Sequence, residues 1–128
     1  TVELIIPMPA KLIEAHPLVE ETRNQVAVKR GPVVYCLESV DIPEAKSIFD
    51  IVIPSGIKLV PGIIKIKNSE VLCLEGEGLL TDNSGWEGIL YRELPADSPL
   101  PVNIRLIPYY AWGNRGHSEM TVWIPLAR

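Results

Sequence analysis

Long apolar runs are missing from this 128-residue chain. None approaches the roughly 18 to 20 uninterrupted residues of a membrane span, which excludes a helical transmembrane segment. The first residues also lack the basic, apolar and small-residue order of a signal peptide. An excess of cations is absent too. With 12 Lys and Arg against 16 Asp and Glu, the net charge of −4 offers no patch to displace counterions from phosphates, so nucleic acid is excluded as a partner. There are only two histidines, and neither His16 nor His117 falls in the paired spacing of zinc ligands. No Gly-x-Ser-x-Gly elbow and no phosphate-cradling glycine loop is present, which leaves serine-nucleophile and nucleotide chemistry without a motif.

What remains is the composition of an ordinary globular domain: 47% apolar and 22% charged residues, with both signs mixed along the chain. A domain of this length buries roughly two-thirds of its unfolded surface and needs no metal or disulfide staple. Residues 1–128 are therefore expected to form a single domain. Cys36 and Cys73 sit in VVYCLE and EVLCLE, where alternating apolar neighbours predict small buried hydrophobes; a disulfide between them is the alternative. Two cysteines do not set a redox compartment, and localisation stays open. The chain starts directly on an apolar strand, TVELIIP, with no initiator methionine or leader. This predicts a piece of a longer polypeptide with an upstream partner.

Period-two alternation recurs in short segments separated by proline, glycine and Asp/Asn/Ser clusters, an all-β pattern. Val2, Leu4, Ile6 and Met8 would share one face of a first strand. Val26 and Val28 do the same in a strand ending at Arg30, before the break at Gly31 and Pro32. Beyond it, Val33, Tyr35 and Leu37 alternate with Val34 and Cys36, and apolar residues on both faces predict a central, doubly covered strand. Val102, Ile104, Leu106 and Tyr110 line one face of a later strand, with Asn103 and Arg105 on the other. Met120, Val122 and Ile124 repeat the pattern in the last strand. Twelve prolines leave room for no long helix, only a helical turn around residues 43–47. The expected architecture is an antiparallel two-sheet β-sandwich resembling a jelly roll.

Glu75 and Glu77 are the residues to test as a glycosidase acid and base, but EGEG places both on one strand face or in a glycine-rich turn, where carboxylates are solvated. TDNSGW, residues 81–86, lacks the spaced acids of a calcium loop and reads as a turn. His16 precedes Pro17 in a corner and is expected to hydrogen-bond the bend; His117 is expected to be solvated or capping. No catalytic residue and no metal ligand is assigned. Candidate sugar or interface contacts are Trp86, Tyr109, Trp112, Asn114, Arg115 and Trp123: aromatic faces for sugar rings, with amide and guanidinium donors for hydroxyls. Packing or interface is the stronger expectation for these aromatics, because Trp123 on an outer face calls for a neighbouring domain or a second subunit to cover it. Arg115 is expected to pair with Glu119 across the turn.

Two stretches carry a family resemblance. Residues 106–125, LIPYYAWGNRGHSEMTVWIP, and the early block ELIIPMPAKLIEAHPLVEETRNQVAVKRGPVVYCLE resemble the C-terminal region of glycoside hydrolase family 127, which includes β-L-arabinofuranosidases. They cover roughly half of the chain, and residues 40–100 match only loosely. The resemblance implies that catalysis lies upstream, in an α-helical barrel with a cysteine nucleophile and a zinc held by cysteines and a glutamate. This chain would then be a non-catalytic domain without a cofactor of its own. Its partners would be that barrel, a second copy in a homodimer, or carbohydrate. A carbohydrate-binding module and a general protein-interaction domain are the alternative functions.

Overall fold

The computed structural model describes residues 9–45, 47–82, 85–94, 98–116 and 118–127. The expected first strand through Val2, Leu4, Ile6 and Met8 lies outside them. Nine strands occur among the described residues: β1 (Ala10–Ile13), β2 (Gln25–Arg30), β3 (Val33–Glu38), β4 (Ile51–Pro54), β5 (Val60–Ile66), β6 (Ser69–Leu80), β7 (Leu100–Pro108), β8 (Met120–Thr121) and β9 (Ile124–Ala127). The longest helical pieces described are single 3-10 turns, among them Ser39–Asp41, Ile48–Asp50 and Tyr109–Ala111. Within the span expected to turn, 43–47, the Ala45 N–H donates to the Ile42 carbonyl at 3.0 Å, and Lys46 lies outside the described residues. None of the described helices is long and apolar enough to cross a membrane.

The β assignment holds, but the sandwich does not. Strands β2, β9, β4, β6, β7 and β3 pair in that order, and β3 returns to β2, closing a six-stranded mixed barrel. β1, β5 and β8 lie off the ring, on β2, β6 and β3. Closure leaves no free edge in the ring, the alternative to two stacked sheets. Alternation along a strand tells inside from outside equally for both architectures; which edges meet is decided by pairings far apart in sequence, such as Val26 with Ile124. One ring contact, β4 with β9, is parallel, and the other five are antiparallel. An odd number of reversals cannot close a ring of straight strands, so the chain must swing across at a corner. β3 does so, pairing β2 through Val33 and Val34, β7 through Tyr35 and Cys36, and β8 through Leu37 and Glu38.

Local chemistry fixes the two tight hairpins. Between Arg30 and Val33, Gly31 takes φ 60° ahead of Pro32, whose ring holds φ near about −65°, the sign pattern of a type II′ turn. Between Ile66 and Ser69, Lys67 and Asn68 both take positive φ, 47° and 67°, as a type I′ turn requires.

The barrel interior is filled by alternate residues: Val28, Tyr35, Leu37, Ile51, Ile53, Leu74, Ile104, Leu106 and Ile124, with Ile42 and Ile48 from the β3–β4 connection. A second cluster of Cys36, Ile66, Val71, Cys73, Ile107 and Ala111 covers the opposite face of β3, β6 and β7. β3 is therefore apolar on both sides, as its sequence predicts. Both cysteines are buried and free, which confirms the small-hydrophobe expectation over the disulfide.

Two alternations break where the strand ends. Tyr110 is 73% exposed, because Pro108 hands the chain from β7 into a 3-10 turn and the phase is lost. Met120, Val122 and Ile124 do not share one strand: β8 stops at Thr121, whose hydroxyl donates to the Trp123 carbonyl at 2.8 Å, and β9 starts at Ile124.

Candidate functional site

Glu38 ends β3 on the same face as Cys36, outside the barrel, yet it is completely buried. A buried carboxylate requires partners, and the segment after β7 supplies them. Arg115 Nη1 and Nη2 donate to the two oxygens of Asp41 at 2.7 Å each, and Nη2 also donates to Glu38 Oε1 at 3.0 Å. The Gly113 N–H donates to Glu38 Oε2 at 3.3 Å. Hydrogen bonding to Asp41 drives the Arg115 pKa further up, against the opposing effect of burial, with Glu38 adding to it. Arg115 Nε is buried and finds no hydrogen-bond partner among the described residues. Ser39 continues the latch: its N–H donates to the Glu119 carbonyl at 2.9 Å, and its hydroxyl accepts from the Glu119 N–H at 3.0 Å. Arg115 thus pairs with Glu38 and Asp41, not with the Glu119 side chain that sequence proximity suggested; Glu119 contributes backbone.

The latch fixes a turn that holds aromatic side chains outward. Ala111 is buried beneath it, while Tyr109, Tyr110 and Trp112 are exposed. The Asn114 amide donates to the Ala111 carbonyl at 3.1 Å, so its amide nitrogen serves the turn. Four of the six candidate residues, Tyr109, Trp112, Asn114 and Arg115, therefore belong to one constructed corner. Trp86 and Trp123 are carried elsewhere. Trp86, in the β6–β7 connection, lies under the Arg92 guanidinium at 4.1 Å from its ring centre. Trp123 is half-buried at the β8–β9 joint. His16 accepts from the Leu18 N–H at 3.1 Å and so fixes its own bend; His117, Asn83 and Ser84 lie outside the described residues.

A groove of about 730 Å³ lies beside the latch, lined by Asp41, Glu44, Lys58, Glu75, Glu77, Asn103 and Arg105 with apolar Val40, Val60 and Ile104. The strand alternative for EGEG is correct: Glu75 and Glu77 lie on β6. Gly76 between them admits a close crossing, since a Cβ there would stand 2.9 Å from the Lys58 carbonyl. Glu75 Oε1 accepts from Arg105 Nε at 3.0 Å, and both side chains are about half exposed, 50% and 42%. Among the described residues, no three His, Cys, Asp or Glu side chains converge to hold a metal. Burial, with the Glu38 and Asp41 charges, pushes the Cys36 thiol up to about 12, the reverse of a nucleophile.

Glu38 and Asp41 escaped sequence reasoning. The available signal was an acid ending an otherwise apolar strand, VVYCLE, which asks for a cation elsewhere in the chain.

Residues 10–125 match the family model described as the glycoside hydrolase family 127 C-terminal domain. The chain belongs to this family. Over 95% of its length, the family 127 domain is 30% identical to a non-reducing end β-L-arabinofuranosidase of Bifidobacterium longum subsp. longum, and it spans 19% of that protein. A solved glycoside hydrolase shares 58% identity over 95% of this chain and 20% of its own, with a TM-score of 0.87. The GH127 β-L-arabinofuranosidase from Geobacillus stearothermophilus T6 shares 38% identity over 94% of this chain and 19% of its own, with a TM-score of 0.81. The family 127 domain thus accounts for about a fifth of these relatives.

Proposed function

We propose that this chain acts as one non-catalytic accessory domain of a glycoside hydrolase. Its complete polypeptide would remove β-L-arabinofuranosyl residues from plant glycans, with retention through a covalent cysteine intermediate. The domain braces an upstream α-helical barrel and contributes to dimer contacts. The observation that carries this reading is the match of nearly the whole chain to a fifth of a β-L-arabinofuranosidase. Its own carboxylates support the accessory role, because Glu38, Asp41 and Glu75 are committed to Arg115 and Arg105. Among the described residues no donor set fits the zinc that the family resemblance implies, and the upstream barrel would hold it.

The complete polypeptide is expected to hydrolyse an aryl β-L-arabinofuranoside in preference to other pentosides. Glu75→Gln, Glu77→Gln and Cys36→Ala are expected to leave kcat within about twofold. A tenfold fall in kcat from any of these, at unchanged thermal stability, would place catalysis in this domain and reject the reading.

A second reading, carbohydrate binding, is favoured by the outward set of Tyr109, Tyr110 and Trp112. A saturable shift of the Trp112 indole signal on adding arabino-oligosaccharides would support it. An unmoved signal at millimolar sugar would leave the accessory role alone.

A further inference from the structure

Residues 85–94, between β6 and β7, expose an unusual set of side chains. Leu94, Tyr91 and Leu90 are 93%, 90% and 85% exposed, and Ile89 and Trp86 are each more than a third exposed. Contiguous apolar exposure of this kind marks a surface that another protein surface covers. The segment is shaped as well as apolar. The Ile89 N–H donates to the Trp86 carbonyl at 3.1 Å, closing a turn through Gly88 at φ 76°. Arg92 stacks on Trp86, and a Cβ placed on Gly85 would stand 3.4 Å from its Nη1. The result is a small knob with leucines and a tyrosine at its surface.

We propose that this knob seats in a recess of the polypeptide that precedes the domain in the complete protein. The inference rests on the accessory role proposed above and names the surface that performs it. Two observations choose this occupant. The domain is the C-terminal fifth of the relatives it matches, so a polypeptide four times larger is covalently tethered beside it, and tethering raises effective concentration to roughly the millimolar range. The groove beside the latch of a second copy is no seat for the knob, because it presents Asp41, Glu44, Glu75 and Glu77, which would be desolvated by leucine.

The test uses the complete polypeptide under hydroxyl-radical footprinting, with each residue's labelling rate divided by its intrinsic reactivity. Leu90, Tyr91 and Leu94 are expected to react at least tenfold more slowly than free side chains, at every protein concentration. Leu90→Asp combined with Tyr91→Asp is expected to lower the melting temperature of the complete polypeptide by several degrees, whereas Leu18→Asp, at another exposed leucine, leaves it unchanged. Free-side-chain reactivity at all three positions overturns the proposal. So does protection that grows with protein concentration, which would assign the knob to a second copy, or protection that appears only with arabino-oligosaccharide. A labelled knob beside a protected Tyr110 would sink the knob while leaving the accessory role intact. A protected knob in a polypeptide inert towards β-L-arabinofuranosides would sink the hydrolase assignment instead.

Discussion

Two exposed aromatic segments flank β7, residues 85–94 before it and residues 109–115 after it, and they are held by opposite means. The later one is fixed from beneath by a guanidinium shared between two buried carboxylates. The earlier one carries, at the surface, the stack of Arg92 on Trp86 and the turn bond from the Ile89 N–H to the Trp86 carbonyl. Buried charge is costly to assemble and costlier to leave incomplete, so the 109–115 corner keeps its geometry whether or not anything touches it. A surface stack is worth about 0.5 to 1 kcal/mol, well below the cost of leaving a buried ion pair incomplete. The difference separates a preformed shape from one whose covering surface completes it.

The largest effect should come from breaking the preformed corner. Arg115→Ala strands Glu38 and Asp41 and is expected to cost about 3 to 5 kcal/mol, measured as a lower urea midpoint at constant m-value. An Arg115→Ala domain as stable as the parent would show that the latch contributes no net stability.

Alkaline pH attacks the same corner from the side of Cys36. The folded-state thiol titrates at about 12 against an ordinary 9.0, so the unfolded chain loses its proton first. Stability should be intact below about pH 9 and fall as pH rises towards 12, by about 1.4 kcal/mol per unit. Burial raises the Tyr35 phenol as well, adding to the loss above its ordinary 10.0. Denaturation midpoints at pH 7 and 10.5 check this, and Cys36→Ala should flatten the slope without abolishing it.

Trp86→Ala removes the surface stack and should lower stability by only about 0.5 to 1 kcal/mol, with the urea midpoint again the readout. A loss as large as that of Arg115→Ala would erase the contrast between the segments. The smallest effect belongs to Leu90→Asp in this chain alone, within about 0.5 kcal/mol by thermal melting, because that side chain is 85% exposed.

The strands were legible because period-two alternation survives wherever one face is buried, and β2, β3 and β7 as far as Leu106 appear as the letters predict. Both cysteines were legible for the same reason. Barrel closure was not, since β9 takes its place between β2 and β4 through Val26 with Ile124 and Ile53 with Leu126, contacts that leave no local trace. The aromatic corner was half visible: Tyr109, Trp112, Asn114 and Arg115 stood out by residue type. Glu38 and Asp41 did not, because their charge suggests solvent until the 109–115 segment is known to lie over them. Proximity in sequence favoured Glu119 for Arg115, but the fold brings the acids ending β3 nearer.

The position of β9 has a temporal consequence. Residues 124–127 pair with β2 on one side and β4 on the other, so the ring cannot close until the last of its strands has been synthesised. Before then Val26 and Ile53 border an open seam, and the chain carries two unpaired edges of the sort that invite aggregation. Contacts spanning nearly the whole sequence also slow the search for the native state. Folding of this domain should therefore wait for β9 and proceed on a timescale of about milliseconds to seconds.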